Sequence, residues 1–181
     1  LDNVGVFFRK DVFRDYLTPW EEKKIIQLGF DTCLPNWLPN KKTIQQQIDV
    51  ANNWEYQWEK FYPYTAVDLD SIDNYFSENN FFSFIPIEPE ANLLNKVVLI
   101  ACGGRGREAY HVAKYLPQNI FMMEIGAEIY SASKILPNQG NRVVLLRCDI
   151  SYHPLKDATI DTAICDHALQ HVYDHRLAFN R

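Results

Sequence analysis

Two patterns of apolar spacing divide the 181-residue chain. After residue 95, short apolar runs alternate with stretches of helical spacing. Positions 96–102 read as a continuous apolar strand, and 119–123, 142–147 and 159–165 read as three more strands. Each has the length of a strand buried on both faces. Between them, 108–116 and 127–136 place apolar residues at helical intervals and stop at Pro117 and Pro137, which cannot continue a helix. The chain from Ala168 onward reads as another helix. Strands alternating with helices predict an α/β fold built on a parallel sheet.

Before residue 90 the spacing is helical. Thr18-Pro19-Trp20-Glu21 is a helix start. Thr caps free backbone N–H groups, Pro suits the first helical position, and Glu three residues after Thr completes a capping box. Gly29 is the expected stop. Pro35 and Pro39 mark a loop. Thr43 with Gln46 marks a second start, followed by Ile44, Ile48, Ala51, Trp58 and Phe61, up to Pro63. Asp70 is expected to cap a short helix through Ser77. Asp68, Asp70 and Asp73 lack the Gly and the terminal Glu of a calcium loop, so they read as solvated acids at helix ends.

Composition draws the same boundary. All four Trp and 18 of the 25 aromatic residues precede residue 91, whereas five of the seven Gly follow it. Pro86, Glu88, Pro89 and Glu90 interrupt the periodicity, placing the boundary at 86–95. Two parts are expected: a helical, aromatic-rich segment over 1–90 and an α/β unit over 91–181. The net charge of −5 splits into −7 for the first ninety residues and +2 for the rest. Neither part carries the basic block that nucleic-acid phosphates require, so no nucleic-acid partner is expected. No apolar run approaches the roughly 20 residues of a membrane span, and no signal-peptide pattern opens the chain. No membrane partner is therefore expected. Cys33, Cys102, Cys148 and Cys165 include no C-x-x-C pair, and three of them lie in or beside apolar runs. They read as reduced, buried thiols of a cytoplasmic protein.

The candidate chemistry begins at Val97-Val98-Leu99-Ile100-Ala101-Cys102-Gly103-Gly104-Arg105-Gly106-Arg107-Glu108-Ala109. A buried strand runs into three glycines and then a helix. Glycine permits a sharp turn and close approach to a ligand, and the helix start offers unpaired N–H groups. Glycine turns also close strand–helix junctions that bind nothing. Two acids sharpen the picture. Glu124 ends the second strand about twenty residues on, where a carboxylate accepts hydrogen bonds from ribose hydroxyls. Asp149 ends the third strand, placed to reach the edge of an adenine, and it can also cap the turn before Ser151. Together they describe a pocket for an adenosine-containing cofactor.

Gly104-Arg105-Gly106-Arg107-Glu108-Ala109 formally fits the dinucleotide fingerprint G-x-G-x-x-A. The wider pattern instead resembles the class I S-adenosylmethionine-dependent methyltransferases, especially the broad group resembling quinone-biosynthesis methyltransferases. The stretch from Val98 to Arg107 is similar to the first family motif, V-L-D-x-G-C-G-x-G-R. Met123-Glu124-Ile125-Gly126 resembles the second and Cys148-Asp149-Ile150 the third. The stretch from Ile160 to Val172 is similar to the fourth strand and its F-D-x-V-x-x-x-x-x-L-H-H-V tail. Trp54-Glu55-Tyr56-Gln57-Trp58, with Phe61, resembles an aromatic segment that precedes some of these domains, in which preceding helices often cover the cofactor pocket; the same spacing suits an ordinary amphipathic helix packing its aromatics.

The resemblance implies a Rossmann-like sheet, incomplete here, with its first four strands in the order 3-2-1-4. It implies S-adenosylmethionine as cofactor and a small-molecule methyl acceptor. Ala101, Gly104 and Gly106 would border the methionine moiety, Glu124 would hold the ribose, and Asp149 would hold the adenine amino group. Ile125 and Ile150 would sandwich the adenine, and Asp166 would face the cofactor mouth. Two departures stand out: Ile100 replaces the usual acid and Cys102 the first motif glycine. No residue is singled out as the catalyst. His167, His171 and His175, at i, i+4 and i+8, are candidate bases on one face if a helix persists there, and no metal site is expected. The family sheet has seven strands, so a chain ending at Arg181 is expected to be a fragment, inactive alone. Two alternatives stay open: a nicotinamide-dependent oxidoreductase with pyrophosphate over Gly104–Gly106, and a non-catalytic module of methyltransferase-like fold.

Overall fold

A computed structural model describes residues 4–7, 17–27, 41–61, 65–71, 75–136 and 142–180. One parallel sheet organises them. Its strands are β1 (Val4–Phe7), β2 (Val97–Ala101), β3 (Asn119–Glu124), β4 (Val143–Cys148) and β5 (Thr162–Ile164). They lie in the order β1-β4-β3-β2-β5. The expected 3-2-1-4 order of the second half is therefore present as β4-β3-β2-β5, extended by a strand from the first half. β1 pairs with β4 from Val4↔Leu145 to Phe7↔Cys148. Four residues containing a glycine are too short to show alternation, and the partner lies some 140 positions away, so local pattern did not reveal this strand.

The described helices are α1 (Pro19–Gln27), α2 (Lys41–Lys60), α3 (Ala66–Asp70), α4 (Glu78–Phe84), α5 (Pro89–Leu93), α6 (Arg107–Ala113), α7 (Ile129–Ile135) and α8 (His175–Phe179). α1 starts at the expected capping box. Thr18 N and Oγ1 donate to Glu21 Oε2 at 2.7 and 2.8 Å, and Glu21 N donates to Thr18 Oγ1 at 3.3 Å. The same carboxylate does more than cap. It is fully buried, accepts the Tyr130 hydroxyl at 2.6 Å and forms an ion pair with Arg147 of β4. A helix start in the first half is thereby pinned to the sheet and to α7.

Three local expectations change. α2 begins two residues before Thr43. Asp70 ends α3 rather than starting a helix: Thr65 and Asp68 form the capping box of α3, and Ser77 Oγ accepts Asn80 N at 3.3 Å to start α4. Asp70 instead accepts Tyr110 Oη at 2.8 Å and Lys114 Nζ at 3.0 Å. The helix expected from Ala168 is broken into a turn at Leu169–His171 and α8, because Asp174 caps a new start by accepting Leu177 N at 2.9 Å. Gly29, Pro35, Pro39, Pro63 and Asp73 lie outside the described residues, as does the side chain of Thr43.

Alternate strand positions face opposite layers. Val98, Ile100, Ile120, Met122, Leu145 and Ile164 join Phe81, Leu93, Val112 and Ile129 in the main core. Met123, Leu146 and Cys148 form a second layer with Leu99, Phe121 and Ile150. Ile100, 1% exposed, therefore faces packed side chains and not a ligand. Among the described residues no helix is long and apolar enough to cross a membrane.

Two consequences are measurable. Glu21→Ala removes the carboxylate paired with the buried Arg147 guanidinium together with the α1 cap, so it should cost about 3–5 kcal/mol in urea unfolding. His111 is fully buried, and its Nε2–H donates to the Phe76 carbonyl at 2.8 Å. Burial lowers its pKa below the ordinary 6.5. The unfolded chain then binds a proton that the folded chain refuses, so stability falls as pH drops through 6.5. Urea midpoints should decline from pH 7.5 to 5.5. His111→Gln, which keeps a donor to Phe76, should flatten the slope; an unchanged slope would assign it to another group.

Candidate functional site

The sheet changes direction at β2: β3 and β4 follow on one side and β5 on the other. Such switch points leave a crevice at the strands' carboxyl ends. Four loops meet there. The first leaves β2 through Cys102, Gly103, Gly104, Arg105 and Gly106 into α6. Cys102, Gly104 and Gly106 have φ of 57°, 52° and 99°. This left-handed conformation costs a residue with a Cβ about 1–2 kcal/mol, which explains why the family motif places glycine where this chain has Cys102. The other glycines are also held by packing. A Cβ on Gly103 would sit 2.8 Å from Met122 Cγ, and one on Gly106 2.9 Å from Ala132 Cβ.

Glu124, at the end of β3, ties two loops together. Its Oε2 accepts Gly104 N at 2.9 Å, and its Oε1 accepts Ile125 N and Gly126 N at 2.7 and 3.0 Å. The side chain is buried. Burial pushes its pKa up, while the three amide hydrogen bonds oppose that rise by favouring the ionised form. Asp149, after β4, is buried and accepts Ser151 N at 2.8 Å, capping the turn Ile150–Tyr152. Asp166, after β5, accepts Arg107 Nη2 at 2.6 Å and lies against His167 Nδ1. Arg107 also donates through Nε to Glu108 at 2.9 Å and lies over the Phe81 and Tyr75 rings, 5.7 and 5.9 Å from their centroids. Burial raises the pKa of Glu108, with the Arg107 charge opposing it.

α2 closes the crevice from above. Val50, Ala51, Trp54 and Trp58 share one helical face and line the cavity. Trp58 lies over Gly104, whose added Cβ would be 3.2 Å from the indole, and Arg105 Nη1 donates to the Trp58 carbonyl at 3.3 Å. Trp54 meets His171 edge-on at 4.9 Å. The enclosed volume is about 240 Å³. Five carboxylates line it, from Glu108, Glu124, Glu128, Asp149 and Asp166, against the single guanidinium of Arg107.

Glu124, Ile125, Asp149, Ile150 and Asp166 thus converge on one cavity, together with His167 and His171. Ala101, Gly104 and Gly106 stand beside it without lining it; Cys102 and Gly103 take that place. His175 starts α8 and is not in the lining. The three histidines share no helical face, because the helix is interrupted between His171 and His175. Sequence reasoning passed over Glu108, Glu128 and Arg107 as cavity residues. The pairing of Arg107 with Asp166, 59 positions apart, had no signal in the sequence.

A central parallel strand, a glycine loop and acids at successive strand ends define a Rossmann-like architecture. Residues 98–181 match the family model described as a methyltransferase domain. No curated protein matches the chain. Similar solved structures include phosphoethanolamine N-methyltransferase 1 of Haemonchus contortus, in complex with phosphoethanolamine and S-adenosylhomocysteine. It is 15% identical with a TM-score of 0.49, over 66% of this chain and 25% of that one. Geranyl diphosphate C-methyltransferase of Streptomyces coelicolor A3(2) is 10% identical with a TM-score of 0.49, over 72% of this chain and 59% of that one. The chain thus spans between a quarter and about three fifths of these two proteins.

Glu124→Gln leaves one carbonyl oxygen for three amides. It should destabilise the chain by about 2 kcal/mol and speed hydrogen exchange at Gly104, Ile125 and Gly126 selectively. Uniform exchange across the sheet would contradict the tie.

Proposed function

We propose that the full-length protein binds S-adenosylmethionine in this cavity and transfers its methyl group to a small-molecule acceptor. One observation carries the reading: acids from the ends of β3, β4 and β5 and the loop after β2 line one cavity. The donor set fits the cofactor. Glu124 presents acceptor oxygen to the ribose hydroxyls, Asp149 to the adenine amino group, and Ile125 and Ile150 offer apolar faces to the adenine ring. Gly104 and Gly106 shape the loop beside the methionine end, with Ala101 beneath it. Asp166, held by Arg107, closes that end. Five carboxylates against one guanidinium suit a ligand carrying positive charge.

When bound, S-adenosylmethionine supplies an electrophilic methyl group on a sulfonium. The chain's part is orientation and exclusion of water, and α2 with Trp54 and Trp58 provides the cover. His167 and His171 line the cavity, within reach of a proton leaving the acceptor. The free thiols of Cys102, Cys148 and Cys165 support a reducing, cytoplasmic setting. Trp58 stands over Gly104, where the oxidoreductase reading would seat a pyrophosphate. A second reading, a methyltransferase-like module without turnover, draws on Ile100, whose core position removes the family's acid from the site.

Calorimetric titration of the full-length protein separates these readings. S-adenosylhomocysteine should bind saturably, and Glu124→Ala and Asp149→Ala should each weaken it about tenfold or more, equivalent to about 1.4 kcal/mol. NADH should not bind. Binding of NADH alone would overturn the methyltransferase reading. Binding without methyl transfer to any acceptor class would favour the module.

A further inference from the structure

One cavity acid has no task in that reading. Glu128 comes four residues after Glu124, at the end of the loop between β3 and α7, lines the same cavity and is 7% exposed. Its Oε2 is fully buried and has no hydrogen-bond partner among the described residues. The carboxylate lies against Gly126, where a Cβ would collide with it, so a glycine at 126 admits it. Burial first, and then the charge of Glu124, raise its pKa well above the ordinary carboxyl value; Glu55 adds to the rise and Arg105 opposes it. Buried polar atoms in folded proteins nearly always have a partner. A buried oxygen left alone on a residue that lines a cavity marks where a ligand's donor belongs.

Glu124 indicates which donor. A carboxylate has about four acceptor positions. Three of those on Glu124 are taken by the amides of Gly104, Ile125 and Gly126, and Oε2 alone has capacity left. A ribose presents two neighbouring hydroxyls, which need two acceptors. Glu128 offers the second from the same strand end. We propose that Glu128 is a ribose-binding residue: it accepts a hydrogen bond from one ribose hydroxyl of the cofactor while Glu124 accepts from the other. This assignment rests on the nucleoside-cofactor reading above. It explains why two acids of like charge are kept together out of water, an arrangement that the fold alone does not require.

The test compares S-adenosylhomocysteine with its counterpart lacking both ribose hydroxyls, by calorimetry on the full-length protein. The wild type should prefer the hydroxylated ligand. In Glu128→Ala that preference should shrink about tenfold, the loss of one hydrogen bond to a carboxylate, with the affinity for the deoxygenated ligand kept within about twofold. Glu128→Met, similar in volume and without an acceptor, should show the same loss. Glu128→Gln, which keeps an acceptor oxygen, should restore most of the preference. Equal weakening of both ligands, or an undiminished preference in the Ala and Met variants, would overturn the assignment and leave the cofactor reading standing. If the wild type bound neither ligand, the cofactor reading itself would fall, and this assignment with it.

Discussion

Three backbone N–H groups converging on the Glu124 carboxylate hold the site together. Gly104 belongs to the loop after β2, and Ile125 and Gly126 to the loop after β3, so one side chain sets the spacing between neighbouring strand ends. Gly103 N adds a bond to the Met123 carbonyl at 3.0 Å. Loops at a sheet edge are ordinarily the most mobile part of an α/β fold. Here a buried charge gives them a common anchor, and removing it would leave buried amides without acceptors. The cavity exists because these two loops cannot move apart independently.

The first half of the chain completes the second through polar contacts as much as apolar ones. Glu21 joins the α1 cap to Arg147 and Tyr130, and Arg147 Nε donates to the Ile125 carbonyl at 3.1 Å. This path runs from a helix start in the acidic, aromatic-rich half to the loop that Glu124 anchors. Burial pulls the pKa of Arg147 down to about 10, still well above neutrality, so the ion pair persists. β1 adds a strand to the same sheet edge. A buried pair of this kind is weak evidence of net stability, but breaking it is costly, and that cost favours a unique placement of the segment that carries α2.

Legibility in the sequence followed the range of the interactions. The capping box at Thr18 and Glu21 was readable because it closes within four residues. β2, β3 and β4 were readable because buried parallel strands are continuous apolar runs. β1 was not, since its stability comes from β4. Asp70 and Ser77 exchanged expected roles because both have capping chemistry, and Tyr110 and Lys114, distant in sequence, claimed Asp70. Ile100 and Cys102 stood out as departures from the family motif. Only the fold shows that Ile100 packs in the core and that Cys102 bears the left-handed turn itself.

By itself the sequence determined the parallel α/β second half, the glycine turn, and the acids at the ends of β3, β4 and β5. These depend on local hydrophobic period, backbone permissiveness and side-chain chemistry, all written in neighbouring residues. Tertiary structure alone decided which side chains of α2 line the crevice, that Arg107 reaches Asp166, and that Glu128 lines the cavity with one oxygen unpartnered among the described residues. Such facts depend on which surfaces meet when distant segments are packed. Burial and hydrogen-bond satisfaction are properties of that packing, and no short stretch of sequence encodes them.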